Sequence, residues 1–537
     1  MNKTVFTSLS CILMINLNIN AGDPVTSKGV DFFDAGMYQA ARRYFKAQDP
    51  SGETYYYLGE IAYAEGKTDS ASFYYDQGLA SDMPYHLCYV SKGKLMLKLN
   101  VKEAEATMQK AFTDKASKKD PVIYTAIGNA YAANKMYDKA KEYFKQAHSF
   151  DQNYAMAYVR EGEMFMAEEK INDAANRFNM AAYVDKKNKL SRLKLAEIYT
   201  HVNTEQALIT INELLAIDND YAPAYKQLGE LHYAKGQVEK AGEAYARYLS
   251  FGNGTTAEYV RYASILFLSK DYLGSLAEVE KILSMEPENA VAKRLLGYNL
   301  FEIEEYEQAL AALTSFMEDP KSNRIASDYK YYARSLRKNK QDSLSIDYYT
   351  KALEIDKTNI SEILKEVAQV YESMKNYAMA GLYYEQYIEN TPDAVAIDYF
   401  NCGRSFYYAA GHIELAADVD SVEQMRLFEK ADQKFAIVAE RIPAGYLGNF
   451  WRGRVQSQLD PEATQGLAKP YYEQALAILE TNPSKYPGEL LECYKYLGYY
   501  YLVQEDDEKS ISYWKKVVEI SPNDSMANEA IKGLTKK

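Results

Sequence analysis

The chain has 537 residues, of which 47% are hydrophobic and 26% charged, with 27 Gly and 14 Pro; this composition excludes a disordered, collagen-like or low-complexity chain. Its 62 Lys and Arg against 75 Asp and Glu leave a net charge of −13, which excludes a wholesale electrostatic grip on nucleic acid or anionic lipid. Tyrosine is the outlier, with 51 residues against 19 Phe and 2 Trp, and it points to many half-buried rings whose hydroxyls stay wet.

Residues 1–21 carry one positive charge, Lys3, an apolar stretch from Val5 through Ile19, and the small Ala21 before Gly22-Asp23-Pro24. That is the layout of a secretory signal peptide, so the expected mature chain is exported and begins near Gly22. The alternative is an uncleaved leader on a cytoplasmic protein. Cys11 is poorly placed for lipoprotein processing, because Ile12-Leu13-Met14 follow it. No later stretch approaches the roughly 18 apolar residues of a membrane span. Beyond the leader remain Cys88, Cys402 and Cys493, far apart and with no CxxC, which excludes a disulfide framework or zinc ribbon and points to buried thiols on helix faces.

The rest of the chain repeats itself. Residues 124–147 (YTAIGNAYAANKMYDKAKEYFKQA), 225–248 (YKQLGELHYAKGQVEKAGEAYARY) and 494–517 (YKYLGYYYLVQEDDEKSISYWKKV) share one phase. An aromatic is followed at +3 by Leu or Ile, at +4 by Gly, at +7 by an aromatic or His, at +16 by Ala or Ser, and at +20 by an aromatic. Spacings of three, four and seven place these residues on one face of a helix, and the polar break before the small residue separates two helices. Each unit therefore reads as a helical hairpin. Gly128, Gly162, Gly229, Gly297, Gly403 and Gly498 on one helix and Ala140, Ala174, Ala241, Ala309 and Ala431 on the other are expected to let the two helices cross closely. Pro121, Pro287, Pro392, Pro443 and Pro522 punctuate the units.

In chain order, units start near 28, 52, 86, 121, 155, 189, 222, 256, 290, 326, 361, 396, 446 and 491. The unit at 189–219 is about a residue short. The unit opened by Cys402-Gly403 holds an insertion between Phe406 and Ala431 whose apolar spacing predicts an extended or extra helix. The next has a long turn, LDPEATQGLAKPYY, with Pro470 in the first turn of its second helix. Residues 524–537 read as a polar helix covering the last apolar face.

This aromatic, Leu-Gly, Tyr, Ala, Phe and Pro pattern resembles the tetratricopeptide-repeat (TPR) family over nearly the whole chain. The resemblance implies an all-α, right-handed superhelical solenoid of helical hairpins, non-catalytic, that binds polypeptides. The stretch WRGRVQSQLDPEATQGLAKPYYEQAL is similar to secreted TPR proteins of Gram-negative bacteria, which implies the periplasm. The expected divisions are a signal peptide at 1–21, the solenoid at 22–395, a unit with a helical insertion at 396–445, C-terminal units at 446–523 and a capping helix at 524–537.

No catalytic constellation competes with this reading. Gly66-Lys67-Thr68 ends like a phosphate loop, but Ile61 stands where its first glycine belongs and no strand precedes it. The five histidines (86, 148, 201, 232 and 412) show no metal-ligand spacing, and His232 falls at a packing position. Neither a GxSxG elbow nor a GxGxxG fingerprint occurs. No cofactor or metal is expected.

In the TPR fold the first helix of each unit lines an inner groove, and the groove positions follow the leading aromatic and the glycine by one residue. In the last six units these pairs read Arg294/Tyr298, Lys330/Arg334, Lys365/Gln369, Phe400/Arg404, Phe450/Arg454 and Lys495/Tyr499. Seven of the twelve are basic and none is acidic, against about 1.4 basic expected from composition. Middle units read Val159/Glu163, Leu193/Glu197 and Lys226/Glu230. The expected ligand is an acidic segment or C-terminal carboxylate of a partner chain, held by Arg294, Lys330, Arg334, Lys365, Arg404, Arg454 and Lys495, with Tyr298, Phe400, Phe450 and Tyr499 as rings. Three functions follow: a periplasmic scaffold binding protein partners, a cytoplasmic regulatory module reading an effector peptide, and an enzyme built on the insertion near 407–430.

Overall fold

The computed structural model describes residues 27–536 apart from 253, 359 and 412–417, so the leader expected at 1–21 lies outside the described residues. Among the described residues there are 29 α-helices and no strand. They fall into two compact units, divided between Ile303 and Glu304 and thus inside the stretch expected to be one solenoid at 22–395.

The first unit contains α1 (Ser27–Asp34), α2 (Tyr38–Lys46), α3 (Gly52–Ala64), α4 (Thr68–Ala80), α5 (Leu87–Met96), α6 (Val101–Gln109), α7 (Pro121–Ala133) and α8 (Tyr137–Phe150). It continues with α9 (Ala155–Ala167), α10 (Ile171–Val184), α11 (Lys189–Val202), α12 (Thr204–Ile217), α13 (Ala222–Ala234), α14 (Val238–Ser250), α15 (Thr256–Leu268), α16 (Tyr272–Met285) and α17 (Ala290–Glu302). The second holds α18 (Tyr306–Glu318), α19 (Ala326–Lys338), α20 (Asp342–Ile355), α21 (Ile360–Ser373), α22 (Tyr377–Glu389), α23 (Ala396–Gly411) and α24 (Asp418–Arg441). It ends with α25 (Leu447–Leu459), α26 (Lys469–Leu479), α27 (Pro487–Val503), α28 (Asp507–Ile520) and α29 (Ser525–Leu534).

Local chemistry sets these boundaries. Asp120 caps α7 by accepting from the Val122 N–H at 2.9 Å, with Pro121 in the first turn where no N–H is needed. Thr255 and Glu258 form a reciprocal capping box at the start of α15. Most hairpins turn through one residue of left-handed backbone: Gly66 and Gly236 adopt it without a Cβ, while Lys135, Lys340 and Lys375 adopt it at φ of 60°, 61° and 58°. The short unit is short here. Asn203 alone joins α11 to α12 and caps the latter by accepting from the Gln206 N–H at 3.1 Å.

The hairpin joint differs from the expected contact of Gly with Ala. A Cβ on Gly128 would lie 2.8 Å from the Phe144 ring, and one on Gly162, Gly229 or Gly498 would lie 2.6, 2.6 or 2.8 Å from Phe178, Tyr245 or Trp514. Each glycine receives the edge of a ring sixteen residues later in its own hairpin, and those four rings are at most 1% exposed. The alanines Ala140, Ala174 and Ala241 are fully buried beside them, but the glycine is required by the ring.

The insertion lengthens an existing hairpin instead of adding one. α23 has 16 residues and α24 has 24, where the neighbouring α22 has 13. Pro470 lies in the first turn of α26, and α29 ends the second unit with Ala527 fully buried. Cys88, Cys402 and Cys493 are buried free thiols, and burial pushes Cys88 and Cys402 up to about 12.

Candidate functional site: the first-helix face

In the second unit the first helices α19, α21, α23, α25 and α27 carry most of the residues expected to bind a ligand. The structure brings their cations into one line and gives each an acidic partner. Lys330 Nζ lies 2.8 Å from Glu362 Oε2. Arg334 donates to Glu366 and, at 2.7 Å, to Glu362. Lys365 Nζ is 2.6 Å from Asp398 Oδ1, and Arg404 is 2.5 Å from Glu372 Oε1. Arg454 grips Glu492 with two parallel bonds of 2.8 and 2.7 Å, and Lys495 reaches Asp524 at 2.5 Å.

The expected excess of positive charge is therefore corrected. Six cations of this unit face six carboxylates on adjoining elements, and the face is close to neutral as built. Glu362 is held below the ordinary carboxylate value of 4.5: burial opposes this, but Lys330 and Arg334 outweigh it. Asp524 is likewise held down, by the hydrogen bond from Lys495 and then the Ala527 N–H. Several of these acids also start their helices. The Val395 N–H donates to Asp398 Oδ2 at 3.1 Å, so one carboxylate closes the first turn of α23 and pairs with the preceding unit's lysine.

The rings divide into two groups. Phe450 is 2% exposed and Tyr298 is 5% exposed, so both are core residues and the expectation that they line a groove is corrected. Each is covered by packing, Phe450 at 6.0 Å from the Tyr472 ring and Tyr298 at 5.8 Å from Phe267. Phe400 and Tyr499 are half-buried. Phe400 meets Trp451 edge-on at 5.6 Å, and the Arg454 guanidinium lies over Phe450 and Trp451 at 4.7 and 4.6 Å. Tyr298 and the half-buried Arg294 stand on α17 and belong to the first unit.

The tyrosine excess has a further cause that sequence reading missed. Buried tyrosines donate their hydroxyls to the same carboxylates that pair with cations. Tyr75 donates to Glu60 at 2.9 Å, and Glu60 also holds Lys94. Tyr131, Glu105 and Lys139 repeat the arrangement, as do Tyr245, Glu230 and Arg261. In the second unit the sets are Tyr384, Glu372 and Arg404, then Tyr472, Glu492 and Arg454, then Tyr494, Glu480 and Lys516. The hydroxyl fixes the carboxylate, and the carboxylate reaches the neighbouring unit's cation. These hydroxyls are buried, not wet.

Two other places invite chemistry. Gly66-Lys67-Thr68 is the turn between α3 and α4, with Lys67 paired to Glu65 at 2.9 Å. Beside the insertion, Met374, Lys375, Tyr377, Ala409, Glu423 and Leu427 line a cleft of about 470 Å³. Its one carboxylate, Glu423, is bound to Arg426 at 2.6 Å. No group of three or more metal-ligating side chains occurs among the described residues, and no helix among them is long and apolar enough to cross a membrane.

Several known proteins are similar to parts of this chain. The tetratricopeptide-repeat family model matches residues 122–154 and 366–393. The mouse DnaJ homolog subfamily C member 7 is 23% identical over 324 residues, covering 55% of this chain and 63% of its own, so the chain spans less than two thirds of that relative. Among solved structures, the C-terminal part of a TPR repeat-containing protein from Cytophaga hutchinsonii is 26% identical, covering 51% of this chain and 99% of its own at a TM-score of 0.39. Yeast Tom70 is 14% identical, covering 74% and 98% at 0.30.

Proposed function

Since the chain carries tetratricopeptide repeats, in helical hairpins that run along both units, we propose that it is a non-catalytic scaffold that binds partner polypeptides on the first-helix face of the second unit, in the bacterial cell envelope. The observation that carries this reading is the line of charge pairs across α19, α21, α23, α25 and α27. It offers a bound chain the same chemistry at each step, which suits an extended polypeptide better than a small molecule.

The built-in carboxylates decide what such a ligand must do. An acidic segment or C-terminal carboxylate competes with Glu366, Glu372 or Glu492 for its arginine, so acid alone confers modest selectivity. A ligand that presents both signs can exchange with a whole pair. Among the three arginines of the line, Arg404 and Arg454, 32% and 31% exposed and lying over aromatic rings, are more open to such exchange than Arg334, 17% exposed.

Placement in the envelope rests on the layout of residues 1–21. Mass spectrometry of the mature N-terminus from the native host tests it: processing near Gly22 supports export, and an intact Met1–Ala21 in the cytosol favours the regulatory module. For the groove, partners co-purified with the full chain are identified by mass spectrometry and titrated against wild type and Arg404→Gln/Arg454→Gln. At least tenfold weaker binding is expected, and equal affinity removes the second unit's first-helix face from consideration. Charge reversal is a poorer test, because Arg334→Glu would set a third carboxylate against Glu362 and Glu366.

A further inference from the structure

The first hairpin of the first unit does more than stack on its neighbour. α1 is applied to helices far along the chain: Asp34 accepts from Arg160 of α9 at 2.5 Å, and Asp31 accepts from Lys189 of α11 at 2.5 Å. Phe32 and Met37 pack in one cluster with Ala222 of α13 and Tyr245 of α14. Ala35 packs against the cluster that contains Val159, Leu193 and Tyr221. From α2, Arg43 donates to the Gly252 carbonyl at 2.8 Å, across 209 residues of sequence.

Val159 and Leu193 occupy the first-helix positions that the repeat register turns toward an inner face, yet they are 0% and 3% exposed. That face is already occupied. Its occupant is a short amphipathic helix with two carboxylates three residues apart, flanking Phe32 and Phe33. α1 and α2 have only 8 and 9 residues, against 13 or 14 in α7 to α17, so they depend on tertiary contacts and open at less cost than the unit as a whole.

We propose that the α1–α2 hairpin is a self-ligand covering a second polypeptide-binding face formed by α9, α11 and α13, and that the external ligand taking its place is an acidic amphipathic helix of the same kind. Arg160, Lys189 and Lys194 receive its carboxylates, in competition with Glu163, Asp218 and Glu197, to which they are also bonded. Val159, Leu193 and Tyr221 receive its small apolar residue, as they now receive Ala35, and Ala222 and Tyr245 receive its ring, as they now share a cluster with Phe32. This site is independent of the one proposed on the second unit.

The test uses the full-length protein and a fluorescent synthetic peptide of residues 27–47. In D31K/D34K the new lysines face Arg160 and Lys189, so amide hydrogen exchange over residues 27–46 should be at least tenfold faster than in wild type while α7 to α14 stay protected. The peptide should bind this variant at least tenfold more tightly than wild type. Adding R160D/K189D restores opposite charges, and it should restore protection and abolish peptide binding. Unchanged exchange, or peptide binding that is equal in wild type and variant, overturns the proposal and leaves the hairpin a fixed cap. The milder D34K gives the same readouts with a smaller change; loss of the whole unit's protection in both variants also overturns it, since a self-ligand must leave its receptor folded.

Discussion

The two units use one grammar, and one pair of the first, Lys94 with Glu60, is shut from water where the second unit's ladder is partly open. Other first-unit pairs, such as Lys139 with Glu105 at 41% and 40% exposed, are as open as that ladder. In the first, Lys94 and Glu60 are 5% and 9% exposed, Glu60 also accepts from Tyr75 and Ser91, and the first hairpin shuts the face around Arg160. In the second, the corresponding ladder is half open, with Glu362 59% and Arg404 32% exposed. The difference teaches that an ion pair's place in the pattern does not fix its worth. A pair shut away from water must be complete, whereas one at the surface can be lent to a ligand.

The comparison breaks first at its deepest pair. Lys94→Met strands the Glu60 carboxylate among buried atoms, and a loss of about 3–5 kcal/mol is expected, read by denaturant titration. A loss below about 1 kcal/mol would mean that this buried pair is as permissive as the second unit's ladder. Next come the joints, where both units should behave alike: Gly128→Leu and Gly498→Leu each drive a side chain into a buried ring and should cost about 1–3 kcal/mol. Unequal costs would show that hairpin packing, too, differs between the units.

Acid should separate the first hairpin from the second unit's charge pairs by sign. Burial raises Asp31 and Asp34 above the ordinary 3.8 against the pull of Lys189 and Arg160, so in the folded chain their ionised forms carry a penalty that is relieved as pH falls through the raised values. Glu362 and Asp524 are lowered, so their contribution is present above about 4.5 and 3.8 and is lost as pH falls through the folded values. Hydrogen exchange from pH 6 down to 3 should show α21 and α29 losing protection before α1; the reverse order refutes the assignment. The smallest effect belongs to Lys330→Met, below about 1 kcal/mol and fading with added salt, because its partner is largely in water.

Much of the fold was legible because the repeat writes the same instruction many times. Unit starts expected at 28, 52, 86, 121 and 361 fall at 27, 52, 87, 121 and 360, since the spacing of packing residues and turn recurs even where, as in the unit at 361, Leu364 and Ala368 replace the aromatic and the glycine. The site was legible only in part. The register did place Lys330, Arg334, Lys365 and Arg404 on one line, but two positions per unit omit Glu362, Glu366, Asp398 and Glu372 from the tally. A signal was present: opposite charges recur 32 or 33 residues apart, as in Lys330 with Glu362 and Lys365 with Asp398. Phe450 shares its register with Phe400, and each meets a ring of its hairpin's second helix, Tyr472 at 6.0 Å and Phe435 at 5.8 Å, yet Phe450 is buried and Phe400 only half-buried, a difference that the register does not carry. The closure of the first unit had no local signature, for Asp34 and Arg160 meet across 126 residues.

The distance in sequence between partners has a consequence for how such a chain can change over evolutionary time. The glycine and its ring lie sixteen residues apart inside one hairpin, so a duplicated or deleted hairpin carries its own joint with it. The tyrosine–carboxylate–cation sets are divided between adjacent hairpins, and a transposed hairpin would meet the wrong charge at its border. Packing thus makes each hairpin portable, while electrostatics records its address. Gain of a repeat inside the second unit would be tolerated as a fold and would be marked afterwards by compensating charge changes at its two borders.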